Sequence, residues 1–74
     1  MAEAGAARVL LGVRGMDNES SRGRVEEALK GVRGVVRVEA SSDRQVAVEY
    51  DAAEVTVMDL IRALRRIGFL AGME

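Results

Sequence analysis

The chain has 74 residues, a formal net charge of -1 and 49% hydrophobic residues, enough for a single domain with one modest core. It has no cysteine and no histidine, which excludes disulfides, thiolate metal sites and the commonest general base and nitrogen ligand. The charge offers no basic field for nucleic acid, Met1 to Ala7 lack the basic start of a signal peptide, and no apolar run reaches the length of a membrane span.

From Arg8, the residues Val9, Leu11 and Val13 alternate with Leu10, Gly12 and Arg14, the period of a strand with one buried face. Gly15 breaks it. Asp17 or Asn18 can cap a following helix, with Glu19 placed against the positive end of its dipole. Val25, Ala28, Leu29 and Val32 recur at helical spacing, while Arg22, Glu26 and Lys30 alternate in sign on another face. Gly23 within this helix costs about 1 kcal/mol relative to alanine, which points to close backbone packing there or to simple tolerance. Gly31 and Gly34 end the helix.

Val36, Val38 and Ala40 alternate with Arg37 and Glu39 as a second strand, and Ser41 to Arg44 form a polar turn. Val46, Val48 and Tyr50 then alternate with Gln45, Ala47 and Glu49, completing a hairpin. Thr56 and Asp59 make a capping arrangement before a second helix striped by Leu60, Ile61, Leu64 and Ile67. Gly68 is its left-handed stop, and Phe69 to Met73 can form a short last strand. The order βαββαβ with right-handed crossovers predicts an α+β ferredoxin-like fold: an antiparallel sheet of order 4-1-3-2 with both helices on one face. The core of the domain is expected over residues 8–73, with Met1 and a small-residue lead-in suiting a free-standing start.

Several short pieces stand in one register: Gly15-Met16 after the first strand, Val25-Glu26-x-Ala28-Leu29 in the first helix, and Gly34-Val35 at the second strand. Val46-x-Val48-x-Tyr50-Asp51 and Leu60-Ile61-x-Ala63-Leu64-x-x-x-Gly68-Phe69-x-Ala71 follow. From Val9 to Ala71 the chain thereby resembles the heavy-metal-associated domains of copper chaperones and P-type ATPases, whose loop reads Gly-Met-x-Cys-x-x-Cys. In that register Asn18 and Ser21 occupy the two cysteine positions. The resemblance implies that Met16 is buried beneath the loop and that Phe69 holds the position of an aromatic or lysine that shields the metal. It also implies docking of protein partners through the loop, the first helix and neighbouring parts of the second.

An asparagine amide and an un-ionised serine hydroxyl are neutral hard donors and do not replace a thiolate pair for Cu(I) or Zn(II). Asp17, Asn18, Glu19 and Ser20 supply too few carboxylates for a hard-cation site and read as a helix N-terminus. No metal ligation and no cofactor are therefore expected. The acidic residues are dispersed and form no acid/base pair, so no enzyme is expected, and Leu10, Gly12, Ala47 and Glu49 on the outward sheet face offer no stacking platform for RNA. Arg62, Arg65 and Arg66 form a basic cluster that reads either as a solvated face partly compensated by Asp59 or as a docking patch for an acidic partner. Leu10, Ala47 and Leu70 are the candidate apolar row for a weak homodimer.

The resulting expectation is a cysteine-less, cytoplasmic protein-interaction or regulatory module in a heavy-metal, copper-handling context, with Met16, Asp17, Asn18, Glu19, Ser20, Ser21 and Phe69 forming the loop and docking region. Its partner would be a metal transporter or related domain, with no nucleic acid and no direct membrane insertion. The alternatives are a metal-binding or transfer domain using non-thiolate or partner-supplied ligands, and a structural or homodimerising module.

Overall fold

The computed structural model describes residues 6–73; the expected lead-in over residues 1–5 lies outside them. Six elements follow one another: β1 (Ala6–Arg14), α1 (Glu19–Lys30), β2 (Val35–Ala40), β3 (Gln45–Asp51), α2 (Val57–Arg66) and β4 (Leu70–Met73). The strands form one antiparallel sheet in the order β2-β3-β1-β4, which is the expected 4-1-3-2 arrangement read from the other edge. β1 starts two residues before the alternating pattern because Ala6 and Ala7 continue the ladder opposite Asp51 and Tyr50.

The apolar alternation selects the buried face. Leu11 and Val13 of β1 and Val46, Val48 and Tyr50 of β3 meet Val25 and Leu29 of α1 and Leu60, Ile61 and Leu64 of α2 in one cluster. Val9, Val38 and Ile67, also expected in the core, are half-buried at its margin. α1 packs towards β2, α2 towards β4, and the helices touch each other. Among the described residues the largest fully buried side chains are all apolar, and no buried side-chain nitrogen or oxygen is left without a hydrogen-bond partner.

Both helix starts are fixed by side chains. Thr56 and Asp59 form the complete reciprocal box: the Asp59 amide donates to Thr56 Oγ1 at 3.3 Å and the Thr56 amide donates to Asp59 Oδ2 at 3.0 Å. After α2, Gly68 takes φ +93, and the Gly68 and Phe69 amides donate to Arg65 and Leu64 carbonyls, turning the chain into β4.

Two expectations need correction. Val36 does not share the inward phase of Val38 and Ala40: a register irregularity between Val35 and Arg37 inserts one residue, which turns Val35 partly inward and leaves Val36 69% exposed. Nor does Gly23 mark close packing, since a Cβ built there has nothing within 4 Å. Gly34 is the glycine with a steric reason. It sits at φ +99, and a Cβ there would lie 2.7 Å from Glu54 Cβ and 3.1 Å from Val55 Cγ1.

These two glycines should respond in opposite directions to the same substitution. Gly23→Ala is expected to stabilise the fold by about 0.5–1 kcal/mol, by helix propensity and reduced unfolded-state entropy. Gly34→Ala is expected to destabilise it by more than about 1 kcal/mol, through strained backbone and steric overlap. Urea unfolding of the two variants measures both.

Candidate functional site

The loop between β1 and α1 is held from below. Gly15 adopts φ +96, so the chain turns sharply and the Met16 side chain enters the core, where it is completely buried. The Phe69 ring lies against the same turn: a Cβ on Gly15 would meet Phe69 Cδ1 at 3.4 Å. Phe69 is itself buried, and the Arg24 guanidinium of α1 stands 5.7 Å from its ring centroid. Sequence reasoning missed this partner, because Arg24 lies on α1 and only the folded packing of α1 against the end of α2 brings it to Phe69.

Above that support the polar loop residues face outward. Asp17, Asn18, Glu19 and Ser20 are exposed and Ser21 is half-buried. Asn18, rather than Asp17, is the N-cap: its Oδ1 accepts the Ser21 backbone N–H at 2.8 Å, while its carbonyl accepts from Arg22 at 3.0 Å. Glu19 then lies in the first turn, against the positive end of the helix dipole. Fully burying Met16 is worth roughly 1.5–3 kcal/mol, against about 1 kcal/mol for the cap. The position of the loop is thus set mainly by Met16 and Phe69, and its closure at the helix end by Asn18.

The chain belongs to the family of heavy-metal-associated domains, whose model matches residues 10–69. The structure is similar to oxidised MerP from Ralstonia metallidurans CH34, at 28% identity and TM-score 0.88, covering 93% of this chain and 97% of that one. A copper binding domain from HMA7, a P-type ATPase, shares 26% identity at TM-score 0.86, with coverage of 90% and 92%. The CopZ metallochaperone shares 28% identity at TM-score 0.83, with coverage of 89% and 100%. No curated protein sequence matches.

Within this family frame the ligand cysteines are replaced, and the donors present do not suit a soft metal cargo. The Asn18 amide oxygen already accepts the Ser21 amide proton, and the Ser21 side chain offers only a neutral hydroxyl. Among the described residues no three His, Cys, Asp or Glu side chains converge in a way that could hold a metal ion. Among the described residues, no helix is long and apolar enough to cross a membrane.

The arginine cluster is at the far end of α2. Arg62, Arg65 and Arg66 are all exposed; Arg62 Nη1 lies 3.7 Å from Asp59 Oδ1, and no ion pair is formed by Arg65 or Arg66 among the described residues. Arg65 and Arg66 occupy the last turn, where positive charge opposes the helix dipole, so part of their role is local. The candidate dimer row does not form a continuous surface. Leu10 and Ala47 are direct cross-strand partners, but Ala47 is only 8% exposed and Leu70 pairs with Arg14, four residues along β1 from Leu10. Gly12 and Gly72 separate the two leucines, a consequence of register that alternation alone does not reveal.

Asn18→Ala should cost about 1 kcal/mol by removing the cap, whereas Asn18→Asp, which keeps the acceptor, should cost little. Asp59 supplies a pH-dependent test. The Thr56 backbone N–H, then the Thr56 hydroxyl and the Arg62 charge, hold its carboxyl below the ordinary value. Its stabilising contribution is therefore complete above the unfolded carboxyl pKa of about 4 and is lost as pH falls through the lower folded value. Asp59→Asn should flatten that acid limb in urea unfolding measured across the acid range, with the other carboxylates still contributing theirs.

Proposed function

We propose that this chain is a protein-interaction or regulatory module of a heavy-metal-handling system, in which the family's loop is presented to a partner without metal cargo. The observation that carries the reading is the Asn18 cap. The first ligand position has become an internal helix cap, while the Gly15 turn, buried Met16 and buried Phe69 keep the loop in place. Asp17, Asn18, Glu19 and Ser20 are exposed above these supports and form a polar surface beside α1 whose position is fixed from within the chain.

In this reading the module is non-enzymatic and cytoplasmic, and its context is copper handling, as the copper binding domain and metallochaperone among its structural relatives suggest by analogy. The partner is a metal transporter or a related domain. Arg62, Arg65 and Arg66 supply the complementary charge for an acidic surface on it, and Phe69 supports the loop from behind rather than touching the partner.

A competition titration against a soft-metal chelator tests the proposal. The unmodified chain should leave Cu(I) and Zn(II) with the chelator, and the combined change Asn18→Cys with Ser21→Cys should confer Cu(I) binding without altering the circular dichroism spectrum. Strong binding by the unmodified chain would support instead a metal carrier with unorthodox ligands. A folded double variant that binds nothing would show that more of the loop than its ligands has changed.

A further inference from the structure

The sheet face turned away from the helices carries a depression that the loop reading leaves unused. Its volume is about 390 Å³ and it is lined by Gly12 and Arg14 of β1, Leu70, Gly72 and Met73 of β4, and Arg44 of the turn before β3. Gly12 and Gly72 are direct cross-strand partners, so two adjacent outward positions carry no side chain and the floor is bare backbone. Arg14 and Leu70, the next outward pair, form one wall; Arg44 reaches the depression because its carbonyl accepts the Val13 amide at 2.7 Å. Leu70 is 60% exposed on this face; Met73, cross-strand from the buried Leu11, is 67% exposed at the end of the strand.

The chemistry of the lining is one-sided. Among the described residues it includes two arginines and no acidic residue, and neither Arg14 nor Arg44 makes an ion pair. An arginine pair beside exposed apolar side chains asks for an occupant with carboxylates next to a large apolar group. Nucleic acid fits poorly, because both aromatic side chains, Tyr50 and Phe69, are buried in the core and none is offered for base stacking. A second copy placed symmetrically on this face would bring two arginines against two arginines.

We infer that the depression is a docking site for an acidic protein segment, with an apolar side chain seated on Gly12 and Gly72 between Leu70 and the arginines, and flanking carboxylates bound by Arg14 and Arg44. The site is independent of the loop and of α2, so the module has two binding faces. A partner held here leaves the loop open to another.

The test uses the full chain, isotopically labelled, and a nine-residue peptide alternating glutamate with leucine and phenylalanine; controls are the same peptide with lysine for glutamate and an oligothymidylate of similar length. Amide shifts on adding the acidic peptide should centre on Gly12, Leu70 and Gly72. Affinity should fall at least about tenfold in Arg14→Glu with Arg44→Glu, and change by no more than about twofold in Arg33→Glu, an exposed arginine that lines neither proposed face. Gly72→Val fills the floor, yet its Cβ meets nothing within 4 Å in the fold, so that variant should stay folded and lose binding. The inference is overturned if the shifts centre on α2, if the lysine peptide or the oligothymidylate binds as well, or if no peptide saturates the site at millimolar concentration. It is equally overturned if sedimentation shows a dimer that Arg14→Glu with Arg44→Glu dissociates, since the occupant is then a second copy.

Discussion

The layer of side chains between the sheet and the two helices is the constraint on which everything else rests. A chain of this length with no cysteine has no covalent staple, so one apolar layer must supply its cohesion. Leu11, Val46 and Val48 from the central strands, Val25 and Leu29 from α1, and Leu60 and Leu64 from α2 are completely buried in it. Met16 and Phe69 belong to the same cluster. The loop is therefore not an appendage that metal must organise: its supports are core residues. Removing metal ligands from its outer side leaves those supports untouched, which explains how a heavy-metal-associated domain can keep its loop and shed its thiolates.

The chemistry at the loop has changed hands. The N-terminus of α1 is a place where unpaired amide protons and the positive end of the dipole favour an anionic or electron-rich group. Asn18 now fills that role from within the chain, accepting the Ser21 amide with its own side chain. Glu19 adds a negative charge in the same turn. The result is a loop whose closing hydrogen bond at the helix start is supplied by the chain itself. The arginines of α2 and those of the open sheet face lie on different sides of the molecule, so a near-neutral chain still presents separate charged surfaces.

Much of the fold was legible in the sequence because its rules are local. Alternation marked β1 and β3, Thr56 and Asp59 marked the start of α2, and Gly68 marked its end. The loop, too, could be read, since Met16, Asn18 and Ser21 stand at fixed offsets from the strand and helix that bracket them. What escaped depends on relations between distant segments. The inserted residue at Val36 is a matter of pairing with β3, the open space around Gly23 depends on what does not pack against α1, and the displacement of Leu70 from Leu10 follows from the β1–β4 register. Arg24 over Phe69 and the sharing of one depression by Arg14 and Arg44 are of the same kind. Periodicity tells which face a residue takes, not which neighbour it meets there.

The central claim, that the loop is closed by Asn18 and not by metal, is tested most directly at the loop's own amides. Proton–nitrogen spectra of the unmodified chain should be recorded under anaerobic, reducing conditions before and after addition of Cu(I). The account predicts that the resonances of residues 15–21 stay where they are, with the Ser21 amide protected from hydrogen exchange by its bond to Asn18 in both samples. Saturable shifts centred on Asn18 and Ser21, with loss of that protection, would contradict it.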